Sequence, residues 1–381
     1  MADTCPRCGS PGVVGDGCPR CRVKVSLYLA SLEKMRRPPT PRPVATLAPV
    51  ALAAPPRATT APTPSATPRA AARRLAFHGS GGALFGIHIV NILRTLVTLG
   101  AYRFWGRVRV RRYMLSQTAF EGDRLAYHGT GKELLRGFLK AILVFGLPVM
   151  ALNLAGQLSG DLLVANAAQV LTWAAVMVFV PVAMVGARRY RLSRTSWRGI
   201  RFSFHGRIWD FIKLFVGGSL LTSLTLGFYY PVFQTNQQAF MVSHARFGQR
   251  PFRFDGRGRD LLRSYLLAGL LTLPTLGLCW FWYQARKIRY FWEHTFFGAA
   301  RFHATVTGRS LLNLTIGNLL LLLVTLGFAW PWVLVRNARF AFAYLTLEGV
   351  LDLAGIVQEP QQASATGDAL SGFLGADVDL G

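Results

Sequence analysis

The chain has 381 residues, 43 of them Lys or Arg and 17 Asp or Glu, which gives a formal net charge of +26. Hydrophobic residues make up 51% and charged residues only 16%, a balance typical of a protein embedded in lipid. Because the apolar residues occur in stretches of about twenty, the length that crosses about 30 Å of hydrocarbon as a helix, an ordinary cytosolic enzyme and a DNA-binding domain are excluded.

The first 35 residues form a cysteine module. Two Cys-x2-Cys pairs, Cys5 with Cys8 and Cys18 with Cys21, bracket nine residues rich in glycine. This spacing predicts a short zinc ribbon in which four thiolates hold one structural zinc ion. A dithiol redox pair and an exported disulfide framework are the alternatives. The N-terminus lacks the pattern of a secretory signal, which favours zinc and a cytoplasmic module that binds a protein partner.

Residues 36–74 are a predicted linker. They contain ten of the twenty prolines, seven arginines and no acidic residue, a composition that cannot bury enough apolar surface to fold. At the other end, residues 350–381 carry five acidic residues and no Lys or Arg. We expect an extended, disordered linker and an acidic, flexible tail.

Residues 75–349 contain the apolar stretches, at 138–158, 162–187, 214–233, 261–283 and 310–335. A further segment, 83–104, is interrupted by His88, Asn91 and Arg94, and a central Arg disfavours a full crossing. We therefore predict an all-α polytopic membrane domain with five crossings and an amphipathic or re-entrant first segment. A domain of six crossings is the alternative.

The membrane part is repetitive. Thr-Leu-Gly occurs at 98–100, 225–227, 275–277 and 325–327. Short alternating segments at 125–129, 201–206 and 251–256 precede three of the helices and end in Gly. Alternation of this kind is typical of strands, so we expect small interfacial β-hairpins between the helices.

A polar residue precedes Gly at five similar positions of the repeats. These positions are His78, His128, His205, Asp255 and Thr307. We interpret them as structural, with metal or proton transfer as the alternative. Cys279, within an apolar stretch, is interpreted as a packing residue.

Basic residues cluster just beyond the apolar stretches, among aromatic residues. The basic residues are Arg107, Arg109, Arg111, Arg112, Arg188, Arg189, Arg191, Arg194, Arg286, Lys287 and Arg289. The aromatic residues are Trp105, Tyr113, Tyr190, Trp280, Trp282 and Tyr290. At helix ends this mixture indicates a membrane interface that meets anionic phospholipid, and no nucleic acid partner is expected.

The segment 77–131 resembles the opening of the YjgN-like family of bacterial inner-membrane proteins, a domain of unknown function. The features that carry the likeness are Phe77-His78-Gly79, Asn91, Thr98-Leu99-Gly100, Tyr102, Trp105, Arg112-Tyr113, Gly122 and Tyr127. Residues 191–206 resemble a later part of the same family. The resemblance implies a multipass inner-membrane protein over residues 75–347, and it implies no catalytic residues.

Three functions remain open from the sequence. The favoured one is a non-enzymatic membrane body that is channel-like, carrier-like or lipid-interacting. A coupled transporter would need polar residues that converge within the membrane, and the candidates are His88, Asn91, Arg94, Asn153, Asn313 and Asn318. A lipid-modifying enzyme is the third. The N-terminus is expected in the cytoplasm, because the more basic loops then also lie there.

Overall fold

The computed structural model describes residues 73–351 and 355–358. The predicted zinc ligands Cys5, Cys8, Cys18 and Cys21, most of the linker and most of the acidic tail lie outside the described residues. The first strand begins at Arg73, two residues inside the segment assigned to the linker.

The described part folds as five successive units, each a strand, two helices and a second strand. The strands are β1 (Arg73–Phe77), β2 (Thr118–Phe120), β3 (Asp123–Tyr127), β4 (Thr195–Trp197), β5 (Ile200–Phe204), β6 (Ala245–Phe247), β7 (Arg250–Phe254), β8 (Thr295–Phe297), β9 (Ala300–Ala304) and β10 (Leu345–Glu348). The helices are α1 (Gly81–Val97), α2 (Arg103–Ser116), α3 (Gly131–Leu158), α4 (Leu162–Arg194), α5 (Ile208–Leu224), α6 (Tyr230–Ser243), α7 (Arg259–Leu270), α8 (Cys279–Glu293), α9 (Gly308–Val324) and α10 (Trp330–Ala343).

The ten strands close into an antiparallel β-barrel. Within each unit the two strands pair, as where Phe77 faces Thr118, and two-residue turns join each unit to the next. The last strand then pairs with the first, with Arg74 opposite Thr346. The prediction of an all-α domain is therefore wrong. Each predicted hairpin had two unpaired edges, and neighbouring hairpins satisfy those edges by pairing with each other.

Aromatic side chains fill the barrel. Phe120, Trp197, Phe247 and Phe297 end successive short strands, and neighbouring ring centroids lie 5.3 to 6.1 Å apart. The Trp197 indole donates to the carbonyls of Phe120 and Asp123, both at 3.3 Å. A barrel of eight strands is just wide enough to be filled by ordinary side chains. Ten strands enclose more space, so large rings are needed to fill it.

The end of the described chain covers the rim of the barrel opposite the helices. Leu351 and Ile356 pack against the aromatic interior, and the Gln358 side chain accepts from the Arg201 backbone N–H at 2.6 Å. A Cβ on Gly248 would approach the Val357 carbonyl oxygen to 2.5 Å, so Gly is needed where the segment crosses.

The ten helices stand on the other rim in five helical hairpins, one per unit. The second helix of each unit also packs against the first helix of the next, and α10 packs against α1. We call each of these contacts between units a seam. Every hairpin starts and ends at the barrel, so the segments that connect one hairpin to the next, residues 117–130, 195–207, 244–258 and 294–307, all lie on the same side of the helices.

This arrangement corrects the predicted crossings. The stretches 214–233, 261–283 and 310–335 are not single helices, because each contains a Thr-Leu-Gly turn that reverses the chain. Among the described residues, only α3 and α4 are long and apolar enough to cross a membrane, judged by length and composition. The apolar helices α1 and α9 are shorter.

Candidate lipid interface

The Thr-Leu-Gly motif forms the turn at the tip of hairpins 1, 3, 4 and 5. In hairpin 1 the Thr98 hydroxyl donates to the Arg94 carbonyl at 2.7 Å and accepts from the Tyr102 N–H at 3.0 Å. Equivalent pairs of bonds form at Thr225, Thr275 and Thr325. One hydroxyl therefore ties the end of the first helix to the start of the second, satisfying two groups that helix termini leave unpaired.

The central leucine of each turn points outward in an unfavourable backbone conformation. Leu99, Leu226, Leu276 and Leu326 have φ of 48–49°, which costs an L-residue about 1–2 kcal/mol. They are between 87% and 97% exposed. Gly, Asn or Asp would adopt this conformation more easily, so a fully exposed leucine indicates apolar surroundings at the tip.

Hairpin 2 has a different tip. Its helices of 28 and 33 residues are the longest, and they are joined through Ser159, Gly160 and Asp161 instead of Thr-Leu-Gly. The Asp161 carboxylate caps α4 by accepting from the Leu163 N–H at 2.8 Å. The longest hairpin therefore ends in a polar turn, whereas hairpins 3, 4 and 5 end in an apolar one.

Arg94 lies in the last turn of α1, not in the middle of a spanning segment as expected. Its guanidinium donates to the Tyr102 hydroxyl at 2.9 Å and lies 5.3 Å from the centroid of that ring. With Arg103 at the start of α2, it makes the tip of hairpin 1 polar.

The other predicted polar residues do not converge. Asn91 donates to the Gly106 carbonyl at 3.2 Å, Asn153 to Thr172 at 2.9 Å and Asn318 to Asn337 at 2.7 Å. Each bond joins the two helices of one hairpin, and the hairpins differ. Within the described residues, the His88 side chain hydrogen-bonds only to the Leu84 carbonyl of its own helix, and Asn313 makes no hydrogen bond. These amides stabilise hairpins individually and do not form a shared pathway.

At three seams an arginine links one unit to the next. Arg112 donates to the Gly129 carbonyl at 3.4 Å, Arg189 to Gly206 at 2.7 Å and Arg339 to Gly79 at 2.7 Å. The Arg339 bond crosses from unit 5 to unit 1. These arginines of the predicted belts, with Arg339 added, therefore hold the base of the ring together.

Three seams also contain a tryptophan that covers a glycine at the start of the next helix. Trp105 lies over Gly131, Trp282 over Gly308 and Trp332 over Gly81, where an added Cβ would come within 2.2 to 2.7 Å of the indole. These are the seams from unit 1 to 2, from 4 to 5 and from 5 to 1. They are consecutive around the ring, so the tryptophans share one side of the molecule.

Each of these tryptophans begins the pattern Trp-x3-Arg-x2-Arg, which places all three side chains on one helix face. The triplets are Trp105-Arg109-Arg112, Trp282-Arg286-Arg289 and Trp332-Arg336-Arg339. The middle arginines have no ion pair or hydrogen bond within the described residues. The triplet on α10 was not predicted, and the repeated spacing is the signal that could have found it.

The histidines before Gly occupy one structural position. The backbone N–H groups of His78, His128, His205, Asp255 and Thr305 each donate to a backbone carbonyl at the C-terminal end of the second helix of the unit, at 2.8–3.2 Å. Thr305, not Thr307, is thus the fifth equivalent. Thr307 instead caps α9 by accepting from the Ser310 N–H.

His128, at the base of α3, lies in positively charged surroundings. Its imidazole lies 2.8 Å from the Ser196 hydroxyl. Burial lowers the pKa of His128, and the charges of Arg201, Arg112 and Arg194 lower it further.

The Cys279 thiol donates a hydrogen bond to the Ala268 carbonyl across hairpin 4. No group of three or more His, Cys, Asp or Glu suited to a metal occurs in the part of the chain that the structure describes.

A closed barrel carries five helical hairpins, three of them with exposed apolar tips, and Trp and Arg side chains lie at the base of several hairpins. This combination is typical of a membrane protein. A family model for bacterial proteins of unknown function (DUF898) matches residues 72–281 and again 265–373. The chain belongs to this family, and the YjgN-like resemblance is confirmed.

Curated relatives agree with this family. The Inner membrane protein YjgN of Escherichia coli O157:H7 is 31% identical over 129 residues, which are 34% of this chain and 30% of the relative. YjgN of Salmonella typhimurium is 31% identical over 130 residues, covering 34% and 31%. The matches thus span about a third of the relatives' length. Their names support the expected inner-membrane location, and no solved structure matches the chain.

Proposed function

We propose that this protein is a non-enzymatic lipid-binding body that enters the inner membrane from one side. Anionic phospholipid headgroups bind the Trp-x3-Arg-x2-Arg triplets at the base of the hairpins. The observation that carries the proposal is the middle arginine of each triplet, Arg109, Arg286 and Arg336. Each lies one helical turn from an interfacial tryptophan and has no partner within the described residues, and guanidinium groups favour bidentate bonds to phosphate.

The depth of the short hairpins follows from the same arginines. Leu276 and Leu326 precede Arg286 and Arg336 by ten residues, which is about 15 Å along a helix. With the backbone of these arginines at the edge of an about 30 Å core, and their long side chains extended outward to the phosphates, the tips of hairpins 4 and 5 lie near the middle of that core. Hairpin 3 has the same length from Leu226 to Asn236. We do not place the tip of hairpin 1 at this depth, because Arg94 and Arg103 make it polar.

Hairpin 2 alone is proposed to cross. Its helices measure about 42 and 50 Å at 1.5 Å per residue, more than the whole hydrocarbon thickness. No charged residue lies between Lys140 and Asp161 or between Asp161 and Arg188. The polar turn at Asp161 then emerges in water on the far side.

The barrel is proposed to lie in the cytoplasm. Its outer face exposes arginines on alternate strand positions, among them Arg74, Arg124, Arg201, Arg253 and Arg301. Positive charge favours the cytoplasmic side. β1 enters and β10 leaves the barrel at the rim opposite the helices. A zinc-bearing module that contacts a protein partner remains part of this proposal.

Single cysteines test the depth and the orientation. Cysteine at Ser159, Ser223 or Ser116, in a background without the five native cysteines, would be probed with an impermeant thiol reagent on intact cells. We expect labelling at 159 only. Position 223 lies next to a tip that is proposed to lie inside the membrane, and position 116 lies at the barrel, on the cytoplasmic side. After the cells are permeabilised, 116 should react and 223 should stay protected. Labelling at 116 but not 159 in intact cells contradicts the orientation, and labelling at 223 contradicts the depth.

Lipid preference tests the headgroup sites. The purified protein should retain phosphatidylglycerol over phosphatidylcholine, and the preference should weaken with salt. Arg109→Gln, Arg286→Gln and Arg336→Gln together should reduce this preference about tenfold, because charge-assisted bonds to phosphate are lost. The matched control is Arg74→Gln, Arg124→Gln and Arg253→Gln, with the same loss of charge from the barrel. Equal reductions in both variants, or no preference in the parent protein, refute the proposal. Lipid mass spectrometry gives the measurement.

A further inference from the structure

The seam from unit 5 to unit 1 contains a cavity of about 300 Å³ beside its triplet. The cavity lies between α1 and the turn that begins α10. Its lining includes Phe85, His88, Ile89, Ile92, Phe328 and Trp330.

The lining suits a hydrocarbon chain better than a polar solute. Five of the six residues named are apolar, and the His88 imidazole is engaged with the Leu84 carbonyl at 3.1 Å. The volume is at the lower end of the range for ligand pockets, about 300–1,000 Å³. Ile92 is 52% and Phe328 66% exposed, so the cavity opens to the surface on which lipid chains would lie.

Two arginines of α10, Arg336 and Arg339, follow the residues that line this cavity and lie closer to the barrel along the helix. Arg339 uses one nitrogen to hold the Gly79 carbonyl at 2.7 Å, and a guanidinium has five donors. Arg336 lies against Gly317, where an added Cβ would be 2.8 Å from its Nη2. It has no ion pair or hydrogen bond in the described part of the chain. Both groups therefore retain N–H donors for a phosphate.

The cation pair and the cavity have the spacing of a lipid headgroup and its chain. Arg336 follows Trp330 by six residues, about 9 Å along α10. Each polar layer of a bilayer is about 5–8 Å thick, since a total of about 40–45 Å encloses a core of about 30 Å. Between them Trp332 packs against Phe85 in a tilted arrangement, with centroids 5.0 Å apart, at the depth where aromatic residues meet the interface.

We infer that this seam binds one anionic diacyl phospholipid. Its phosphate accepts hydrogen bonds from Arg336 and Arg339, and one acyl chain occupies the cavity. This inference rests on the proposed function and makes it specific: one lipid is held at the junction where the first and last units meet.

The test separates headgroup from chain. The full-length protein in phosphatidylcholine nanodiscs would be titrated with phosphatidylglycerol, and bound lipid would be counted by native mass spectrometry. Ile92→Trp should fill the cavity and remove the tightest-bound phosphatidylglycerol, with its dissociation constant raised at least about tenfold. Ile316→Trp is the control, because Ile316 is an exposed apolar residue of α9 outside the lining. Arg336→Gln should weaken the same site, and glycerol phosphate without chains should not compete.

The outcomes distinguish a failure of the seam site from a failure of the proposed function. A tight phosphatidylglycerol site that survives both Ile92→Trp and Arg336→Gln overturns the seam site, even where Arg109→Gln and Arg286→Gln reduce the overall preference. Competition by glycerol phosphate shows an anion site without a chain and overturns it too. The absence of any preference in the parent protein refutes the proposed function itself.

Discussion

A variant with Leu226→Asp, Leu276→Asp and Leu326→Asp should fail to accumulate in the membrane. On insertion scales the exchange of Leu for Asp costs about 3–4 kcal/mol at the centre of a membrane helix. Three such changes approach the whole stability of an ordinary protein, about 5–15 kcal/mol. The amount of protein that stays in membranes after an alkaline carbonate wash gives the measurement.

Because the backbone of these turns has positive φ, the Asp variant tells a tip in lipid from a tip in water. Asp adopts positive φ more readily than Leu, so tips that lay in water would be stabilised by the change. The control is Leu226→Gly, Leu276→Gly and Leu326→Gly, which relieves the backbone without adding charge and should accumulate normally. Normal accumulation of the Asp variant places the tips in water and ends the half-depth proposal.

Phe247→Ala should destabilise the barrel by about 3–5 kcal/mol, the usual cost of removing a buried aromatic ring. Phe247 is 3% exposed. Its ring lies 4.8 Å from Phe202, 5.7 Å from Trp197 and 6.1 Å from Phe297. With neighbours on three sides held by the closed strands, the cavity cannot collapse. Thermal unfolding in detergent would measure the loss.

Phe228→Ala serves as the matched control for the barrel. Phe228 belongs to the tip of hairpin 3 and is 58% exposed, so its removal should change stability in detergent little. If both variants lose equal stability, the aromatic interior is not the part of the molecule that limits unfolding.

The strands could be located from the sequence, but their association could not. The alternation at 125–129, 201–206 and 251–256 overlaps β3, β5 and β7 closely. Their partners, such as Thr118–Phe120, are three residues long, too short for a visible period of two. Closure also depends on contacts between β1 and β10, which no local pattern contains.

The turns at Thr-Leu-Gly, where the chain reverses, were not predicted for a different reason. Apolar residues continue on both sides of each Thr-Leu-Gly, so hydropathy shows one stretch where the structure has two helices. No propensity rule assigns a left-handed turn to Leu. A weak signal was present in Pro231 and Pro331, four residues after the turn glycine, because Pro favours the first positions of a helix.

The sequence predicts the clusters of arginines, but it does not predict that individual arginines within a cluster have different roles. Grouped by nearness in sequence, Arg109 and Arg112 look alike. On the helix surface Arg109 has no hydrogen bond or ion pair to any described residue, whereas Arg112 holds the next unit through the Gly129 carbonyl. Which carbonyl lies within reach depends on the packing of two units, and that information is absent from a single segment.

Because the barrel closes between β1 and β10, it cannot be completed until β10 has been synthesised. About 270 residues separate the two strands, and at about 5–20 residues per second a ribosome needs roughly 14–55 s to make them. During that time β1 has one open edge, which is prone to pair wrongly. Hairpins already inserted would hold the earlier strands at one membrane surface, so the search for the last partner would be confined to two dimensions. The bilayer would then act as a template for a sheet that never enters it.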